Sequence, residues 1–360
     1  MKKIDKYIIR KFLSTFFYCL LLLLLVVIVI DMSEKIDDFI EYKLDIQTIV
    51  LKYYIHFIPY FANLFAPLFI FISVVFFTSK LASNSEIIAI FNSGMSFKRF
   101  LRPFILSSIL LATLSFLLSN FIIPISNNHR INFEENYLSN KKKIMRNNIN
   151  IQSSVDEYLY IEGYNTNRNI GYRCSLEEIK DSKLVSKIRA NIIQWDNNKK
   201  EWILKNYQKR IFLENGENIL IKKDTTRINL KLSPSDFIFH LNLSERMNLI
   251  ELNENILKEE KMSSGRAKFY KIEKHKRIAF PFAIIILTLI AVSVSSKKIK
   301  GGVGYNLGLG LLISFSYIMF FQFSSTFSIN GNLEPWIAVW IPNIIYMILS
   351  IILLKRAEKN

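Results

Sequence analysis

The chain has 360 residues, 51% of them hydrophobic, and 47 Lys and Arg against 30 Asp and Glu, for a formal net charge of +17. The mean hydropathy of +0.22 averages two regimes, long runs nearly free of charge and a charged middle. A net charge of this size suggests nucleic acid as a partner, but its distribution follows loop position rather than one binding face, which argues for a membrane protein instead.

Residues 1–11 are basic, and Ile4, Ile8 and Ile9 recur with helical spacing. They read as a helix lying along the membrane interface before it turns into the first span. The apolar run 12–30 follows Lys2, Lys3 and Lys6 as the core of a signal peptide would. It is about the length of a membrane span and lacks a small-residue cleavage site, so a retained anchor is expected. A dense collar, Asp31-Met32-Ser33-Glu34-Lys35-Ile36-Asp37-Asp38, closes it. The collar reads either as a solvated helix end or as a rim past which a charged head group moves.

The second run, 55–78, carries Pro59, Asn63 and Pro67. Prolines persist in membrane helices where neighbours satisfy the freed carbonyls, and Asn63 is placed to hydrogen-bond across helices. His56 and Asn63 read as packing residues rather than proton carriers. The central part of every apolar run is free of Asp, Glu, Lys and Arg, which counts against an ion-driven machine.

The loop between the second and third runs contains Ser83 and Glu86 at capping-box spacing, then Ile87, Ile88, Ile90 and Phe91, then Gly94 as a helix stop. A helix over 83–94 is expected. It is too apolar to stand free in water, so it lies on the membrane or docks into a partner's groove. The third run is 101–123.

Residues from about 125 to 277 hold 29 Lys and Arg and 20 acids, and they change period. Residues 187–192 and 227–232 alternate strictly between polar and apolar, and 157–163 and 169–174 are further strand candidates. Trp195 and Trp202 flank a hairpin turn. Four to eight short antiparallel strands suggest a sandwich or jelly roll. The basic excess suits an anionic ligand, and equally a generally lysine-rich composition. Residues 244–261 return to helical period. Cys174 lies in this insert and Cys19 in the first run, so the two should stand in different phases and an intrachain disulfide is not expected.

Three further apolar runs follow at 278–294, 305–327 and 336–354. Each of the six runs is close to the ~20 residues that an α-helix needs to cross a ~30 Å hydrocarbon layer. Gly304 and Gly308 form a GxxxG at the start of the fifth, a spacing that lets membrane helices approach closely. Lys297, Lys298 and Lys300 precede it, and no phosphate-binding GxxxxGK[ST] occurs anywhere in the chain. No nucleophile–base set, metal-ligand cluster or carboxylate pair stands out, so no enzyme activity and no cofactor are expected.

Segments 1–11, 79–102, 295–302 and 355–360 together carry 15 Lys and Arg against three acids. The loop 31–54 has three Lys against six acids. This asymmetry places both termini in the cytosol and the insert on the far side.

Several motifs together resemble the LptF/LptG family, the permease subunits of the lipopolysaccharide exporter. They are the 31–38 collar, Ser85-Glu86-Ile87-Ile88-Ala89-Ile90 with Gly94 and Ser96, Met247-Asn248-Leu249-Ile250-Glu251-Leu252, and Arg277-Ile278-Ala279-Phe280-Pro281. The most specific is Glu334-Pro335-Trp336-Ile337-Ala338-Val339-Trp340-Ile341-Pro342-Asn343. The resemblance covers nearly the whole chain. It implies a membrane α-helical fold with a β insert, six transmembrane helices in a 3+3 arrangement flanking a periplasmic β-jellyroll domain. The implied domains are 1–124, 125–276 and 277–360.

The resemblance also implies a multi-pass protein of the bacterial inner membrane that pairs with a second LptF/LptG-type permease and binds a dimeric cytosolic ABC ATPase. It would extract lipopolysaccharide and pass it to periplasmic jellyroll bridge proteins. Glu86, Ile87, Ile90, Phe91 and Gly94 would couple to the ATPase, with spans two and three transmitting the motion. Lys35, Arg277, Gly304 and Gly308 would lie on the substrate path, where spans one and five form lateral gates. A membrane scaffold presenting the β domain, a permease for another lipid and a lipid-modifying enzyme are the competing readings.

Overall fold

The computed structural model describes residues 3–138, 146–154, 156–165, 168–181, 183–213, 216, 218–230, 232–234, 243–261, 267–297, 302–331 and 333–359. Lys2, Lys298 and Lys300, singled out above, lie outside them, as does residue 231 of the expected 227–232 strand. The helices in chain order are α1 (Lys3–Glu41), α2 (Ile46–Ser83), α3 (Glu86–Asn92), α4 (Phe97–Tyr137), α5 (Leu243–Arg246), α6 (Leu249–Lys261), α7 (Ala267–Ser295), α8 (Gly302–Asn330) and α9 (Pro335–Lys359). Six of them, α1, α2, α4, α7, α8 and α9, are long and apolar enough to cross a membrane. The strands β1 (Arg146–Ser154), β2 (Glu157–Asn165), β3 (Ile170–Lys180), β4 (Lys183–Asp196), β5 (Glu201–Phe212) and β6 (Asn218–Ile228) form one antiparallel sheet between the two sets of helices. A helical membrane protein with a β insert is therefore what the chain folds into.

Two sequence expectations give way here. The first eleven residues do not turn before entering the span, because α1 runs unbroken from Lys3 to Glu41 and takes in the charged collar. No Gly or Pro occurs between those positions to stop it. Ser83 does not cap the next helix. It ends α2, donating its hydroxyl to the Lys80 carbonyl at 2.9 Å, and α3 begins three residues later at Glu86. Asn84 meanwhile donates to the Glu86 carboxylate at 3.2 Å, so the carboxylate does not complete a capping box with Ser83.

The membrane helices are held by small contacts between polar side chains, since lipid supplies no hydrophobic force between them. Asn63 of α2 bridges to α4, donating to Ser119 at 2.9 Å and accepting from Ser115 at 2.6 Å. Asn306 of α8 donates to Ser79 of α2 at 2.9 Å. Tyr317 of α8 donates to Asn343 of α9 at 2.8 Å, which in turn donates to the Ala279 carbonyl of α7 at 2.8 Å. Buried hydroxyls such as Ser107, Thr288 and Ser314 donate to carbonyls four residues back in their own helices, which satisfies these donors inside the bundle. A π-helical turn interrupts α2 at Ile49–Tyr54 and α4 at Leu118–Ile122, each shortly before a proline, Pro59 and Pro124. A proline removes one donor and crowds the carbonyl four residues earlier, and a widened turn relieves this.

The helices and the sheet separate into two compact units, Met1–Leu138 with Ser244–Leu252 and Lys268–Asn360, and Ser139–Leu243 with Asn253–Ala267. In the second unit the strands pair strictly in sequence order, as a meander, where the Greek keys of a jelly roll would cross over. The strand expected over 227–232 ends at Ile228, yet Leu230 and Leu232 stay buried, and Trp202 donates its indole N–H to the Leu232 carbonyl at 2.7 Å. The expected hairpin is present: Trp195 faces Trp202 edge-on at 4.9 Å, and the Asp196 carboxylate accepts from the backbone of Asn198 and Lys199.

A crease crosses the sheet. Ile161 and Gly163 of β2 face Cys174 and Tyr172 of β3, and the ladder skips Glu162 and Arg173 between them. The same level is skipped at Asn191, Asn206 and Asp224. There the buried face changes parity, from Ile161 to Tyr164, from Ala190 to Ile193 and from Tyr207 to Leu204. Arg173 and Asn206 both stand at φ +51, the left-handed region. The register is the same on both sides of this level, so one residue of each strand turns out of the ladder there and the side chains beyond it are re-aimed. Cys174, on the inner face, has its thiol pushed up to about 11 by burial, so it packs as an apolar residue.

Candidate functional site

At one end of the helical unit, α3 connects α2 to α4. Ser85 precedes it at φ +62, and Gly94 follows at φ +88, donating its N–H to the Phe91 carbonyl at 2.9 Å. Gly94 thus stops the helix where only glycine adopts the angle without strain. Ser96 then caps α4, accepting from the Arg99 N–H at 3.3 Å.

The side chains of α3 face differently from the expected docking set. Ile87 is 2% exposed and belongs to the membrane core, with Ile90 and Phe91 packed against the same core. Phe91 meets Phe100 edge-on at 5.5 Å and Phe97 at 6.2 Å. The outward residues are Ile88, 50% exposed, together with Ala89 and Asn92, while Glu86 is half-buried. Positions 87, 90 and 91 have the i, i+3, i+4 spacing of a packing stripe, and Ile88 falls off that stripe. That spacing was available in the sequence to separate the two roles.

At the opposite end, Lys35 lies inside an ionic cluster. Its ammonium pairs with Asp31 at 2.7 Å and Glu134 at 3.4 Å and donates to the Tyr53 hydroxyl. Tyr53 also donates to Asp31 and Glu134, each at 3.2 Å, and Tyr54 donates to Asp31 at 3.3 Å. Phe39, Tyr53, Phe57 and Phe133 pack beneath. Two carboxylates hold one lysine here, tying α1 to α2 and α4. The sequence marked the 31–38 collar but gave no sign of Glu134 or Tyr53, which are distant along the chain.

Arg277 of α7 is 3% exposed. It pairs with Glu273 at 3.0 Å and donates to the carbonyls of Met247 at 2.9 Å and Ser244 at 3.0 Å. The guanidinium thereby closes the C-terminal end of α5. Beside it lies a cleft lined by Tyr60, Asn63, Glu245, Glu273, Lys276 and Phe280. Tyr60 donates to Glu245 at 3.1 Å, and the Arg130 guanidinium lies over the Tyr60 ring at 4.7 Å. Burial raises the Glu245 carboxyl above its usual range. Arg246 reaches Asn128 at 3.0 Å and Glu135 at 3.4 Å. Sequence reading missed Tyr60, Arg130, Glu245 and Glu273. Their only local signal is charge beside an apolar run, which ordinary helix ends share.

Gly304 and Gly308 face open space: a Cβ added at either would meet no atom within 4 Å. The close helix approach in this bundle falls at Gly310, where a Cβ would stand 3.0 Å from a Phe71 ring carbon and 3.3 Å from Val75. Among the described residues the GxxxG is therefore unused as a helix contact. α1 is also open: its buried positions are Asp5, Ile8, Phe12, Phe16 and Leu20, then nothing until Phe39.

No curated protein sequence is a match to the chain. The family described as lipopolysaccharide export system permease LptF/LptG matches residues 6–356. With six helices fit to span a membrane and a β insert between them, the chain belongs to the LptF/LptG family and is a multi-pass inner-membrane permease of lipopolysaccharide export.

Proposed function

We propose that this chain is one half of a dimeric permease driven by a separate cytosolic ABC ATPase, with both termini in the cytosol. The observation that carries the reading is the outward face of α3. An isoleucine, an alanine and an asparagine stand exposed on a short helix whose other face is locked into the bundle. Ile88 is the apolar knob for the ATPase groove and Glu86 its polar neighbour, while Ile87, Ile90 and Phe91 carry the stroke inward. The basic loops flanking this end fit a cytosolic placement.

Lipopolysaccharide enters between helices that the chain leaves bare. Only 11% of the most apolar stretch of α1 is buried, and 28% of that of α8. The open Gly304 and Gly308 lie on the second of these. Closing of the two halves then pushes the lipid toward the β domain. Among the described residues β1 and β6 each pair on one side only, and such edges suit strand addition by the periplasmic bridge proteins. Lys35 and Arg277 act in this scheme by holding helix ends, since both are engaged by the chain's own carboxylates.

The test is purification in mild detergent with its ATPase. The unaltered permease brings the ATPase with it. Ile88→Arg releases the ATPase while leaving the melting temperature of the permease unchanged. Retention of the ATPase by a folded Ile88→Arg protein moves the docking surface elsewhere, and a wild-type permease that recovers no ATPase overturns the reading.

A further inference from the structure

We propose that the stroke of α3 is delivered directly to α1, through the first turns of α4, and that the half-buried Asp5–Arg99 ion pair is the positioning contact that makes the delivery. The inference deepens the exporter reading and rests on it. The resemblance had implied transmission by spans two and three, and α1 is added here.

Two contacts run in parallel from α3 to α1. One is aromatic. Phe91 of α3 meets Phe100 at 5.5 Å, Phe100 meets Phe104 at 5.3 Å, and Phe104 meets Phe12 of α1 at 6.2 Å. Phe100, Phe104 and Phe12 are each 0% exposed, so the row is close-packed and resists compression. The other contact is ionic. Arg99 lies in the first turn of α4, three residues past the Ser96 cap, and its guanidinium reaches the Asp5 carboxylate at 2.6 Å. Asp5 is 5% exposed and stands in the first turn of α1.

Geometry makes these contacts one device. Gly94, at φ +88, ends α3, and Ser96 starts α4, so the two helices are joined by a stiff corner rather than a slack loop. A shift of α3 must move the first turn of α4, and both Arg99 and Phe100 stand on that turn. On α1 the packed stripe Ile8, Phe12, Phe16 and Leu20 follows Asp5, and beyond Leu20 the helix is bare until Phe39. Held along its first five turns, bare above Leu20 and tied again at Lys35 and Phe39, α1 shifts as a rod that pivots on its far end. The aromatic row transmits a push. The ion pair transmits a pull and fixes the register of α1 on α4, which apolar rings alone leave free to slide. Lys35 and Glu134 supply a second tie between the same two helices at the far end.

The experiment uses the complete complex of permease and ATPase, in proteoliposomes containing lipopolysaccharide. Three permease variants are compared: Asp5→Arg, Arg99→Asp and the exchange of both. Three quantities are read: the ATPase retained, ATP turnover, and lipopolysaccharide extracted. Each single variant keeps its ATPase and its ATP turnover within about twofold, and loses about tenfold in extraction. The exchange recovers most of the loss. A role confined to stability lowers turnover and extraction together, so the split between them is the diagnostic.

Wild-type extraction in the single variants overturns the proposal, as does an assembled double exchange that stays as low as the single ones. Where a charge reversal prevents assembly, Asp5→Asn replaces it, keeping the shape and losing the charge. Reduced extraction with normal turnover in that variant supports the strut, and wild-type extraction overturns it. Failure of the exporter reading looks different: the unaltered complex then binds no ATPase or extracts no lipopolysaccharide.

Discussion

α1 and α7 are both long apolar helices, and the more apolar of the two is the less buried. The most apolar stretch of α1 has a mean hydropathy of 3.0 and is 11% buried, whereas that of α7 has 2.5 and is 72% buried. Hydropathy measures preference for lipid over water, and both helices satisfy it. Packing between helices needs something else, surfaces that let backbones approach and polar groups that find partners. α7 supplies them in Ala279, Ala283, Ala291, Ser293 and Ser295, all buried. The corresponding part of α1 is an almost unbroken run of Leu, Val and Ile. One helix is built to sit among its own neighbours, the other to face lipid or a second chain.

The contrast is broken or sharpened first by truncation. Ile290 of α7 is 0% exposed and Leu25 of α1 is 54% exposed. Ile290→Ala opens a cavity and costs about 2–5 kcal/mol. Leu25→Ala leaves the melting of the isolated permease within about 0.5 kcal/mol of wild type. Thermal unfolding of both variants in detergent decides it, and equal losses would mean that α1 is packed in the permease alone.

Glycine gives a smaller contrast on α8. Gly310→Leu forces a side chain into Phe71 and Val75 and costs about 1–3 kcal/mol. Gly308→Leu meets open space and leaves the melting temperature of the isolated chain unchanged. It acts only if a second permease closes on that face, which crosslinking yield between the two permeases measures.

The smallest effect concerns the clasp at the start of α7. Burial raises the Glu245 carboxyl, so the folded protein binds this proton more tightly than the unfolded chain. The favourable contribution is complete below the ordinary carboxylate value of 4.5 and is lost as pH rises through the raised folded value. Glu245→Gln keeps an acceptor for Tyr60 and removes the titration. Relative to wild type, the variant gains stability as pH is raised from below 4.5 toward neutrality. A wild-type-minus-variant difference that stays flat with pH would show that Glu245 remains charged in the fold.

The sequence alone determined the six spans, the β insert and the loop helix. These depend on local period and composition, which a chain carries wherever it is placed. The Trp195–Trp202 hairpin was legible for the same reason, as was the stop at Gly94. Family membership was legible from runs of neighbouring residues such as 334–343. Continuous structure was harder to foresee: the 1–11 segment merges into α1 because nothing breaks it, and Ser83 continues α2 rather than starting α3.

Tertiary structure decided what the singled-out residues touch within the chain. Lys35 looked available and is held by Asp31 and Glu134, one of them 99 positions away. Arg277, expected on the substrate path, is engaged by Glu273 and by carbonyls at the end of α5. The GxxxG at Gly304 looked like a contact, and Gly310 makes it. Ile87 and Phe91 looked outward and pack inward, leaving Ile88 exposed. In each case the property at issue is which group stands opposite, and that is set by helices brought together from distant parts of the chain. Local sequence fixes what a side chain can bond or bury; only the packed bundle fixes whether its partner is the chain itself or something still to be bound.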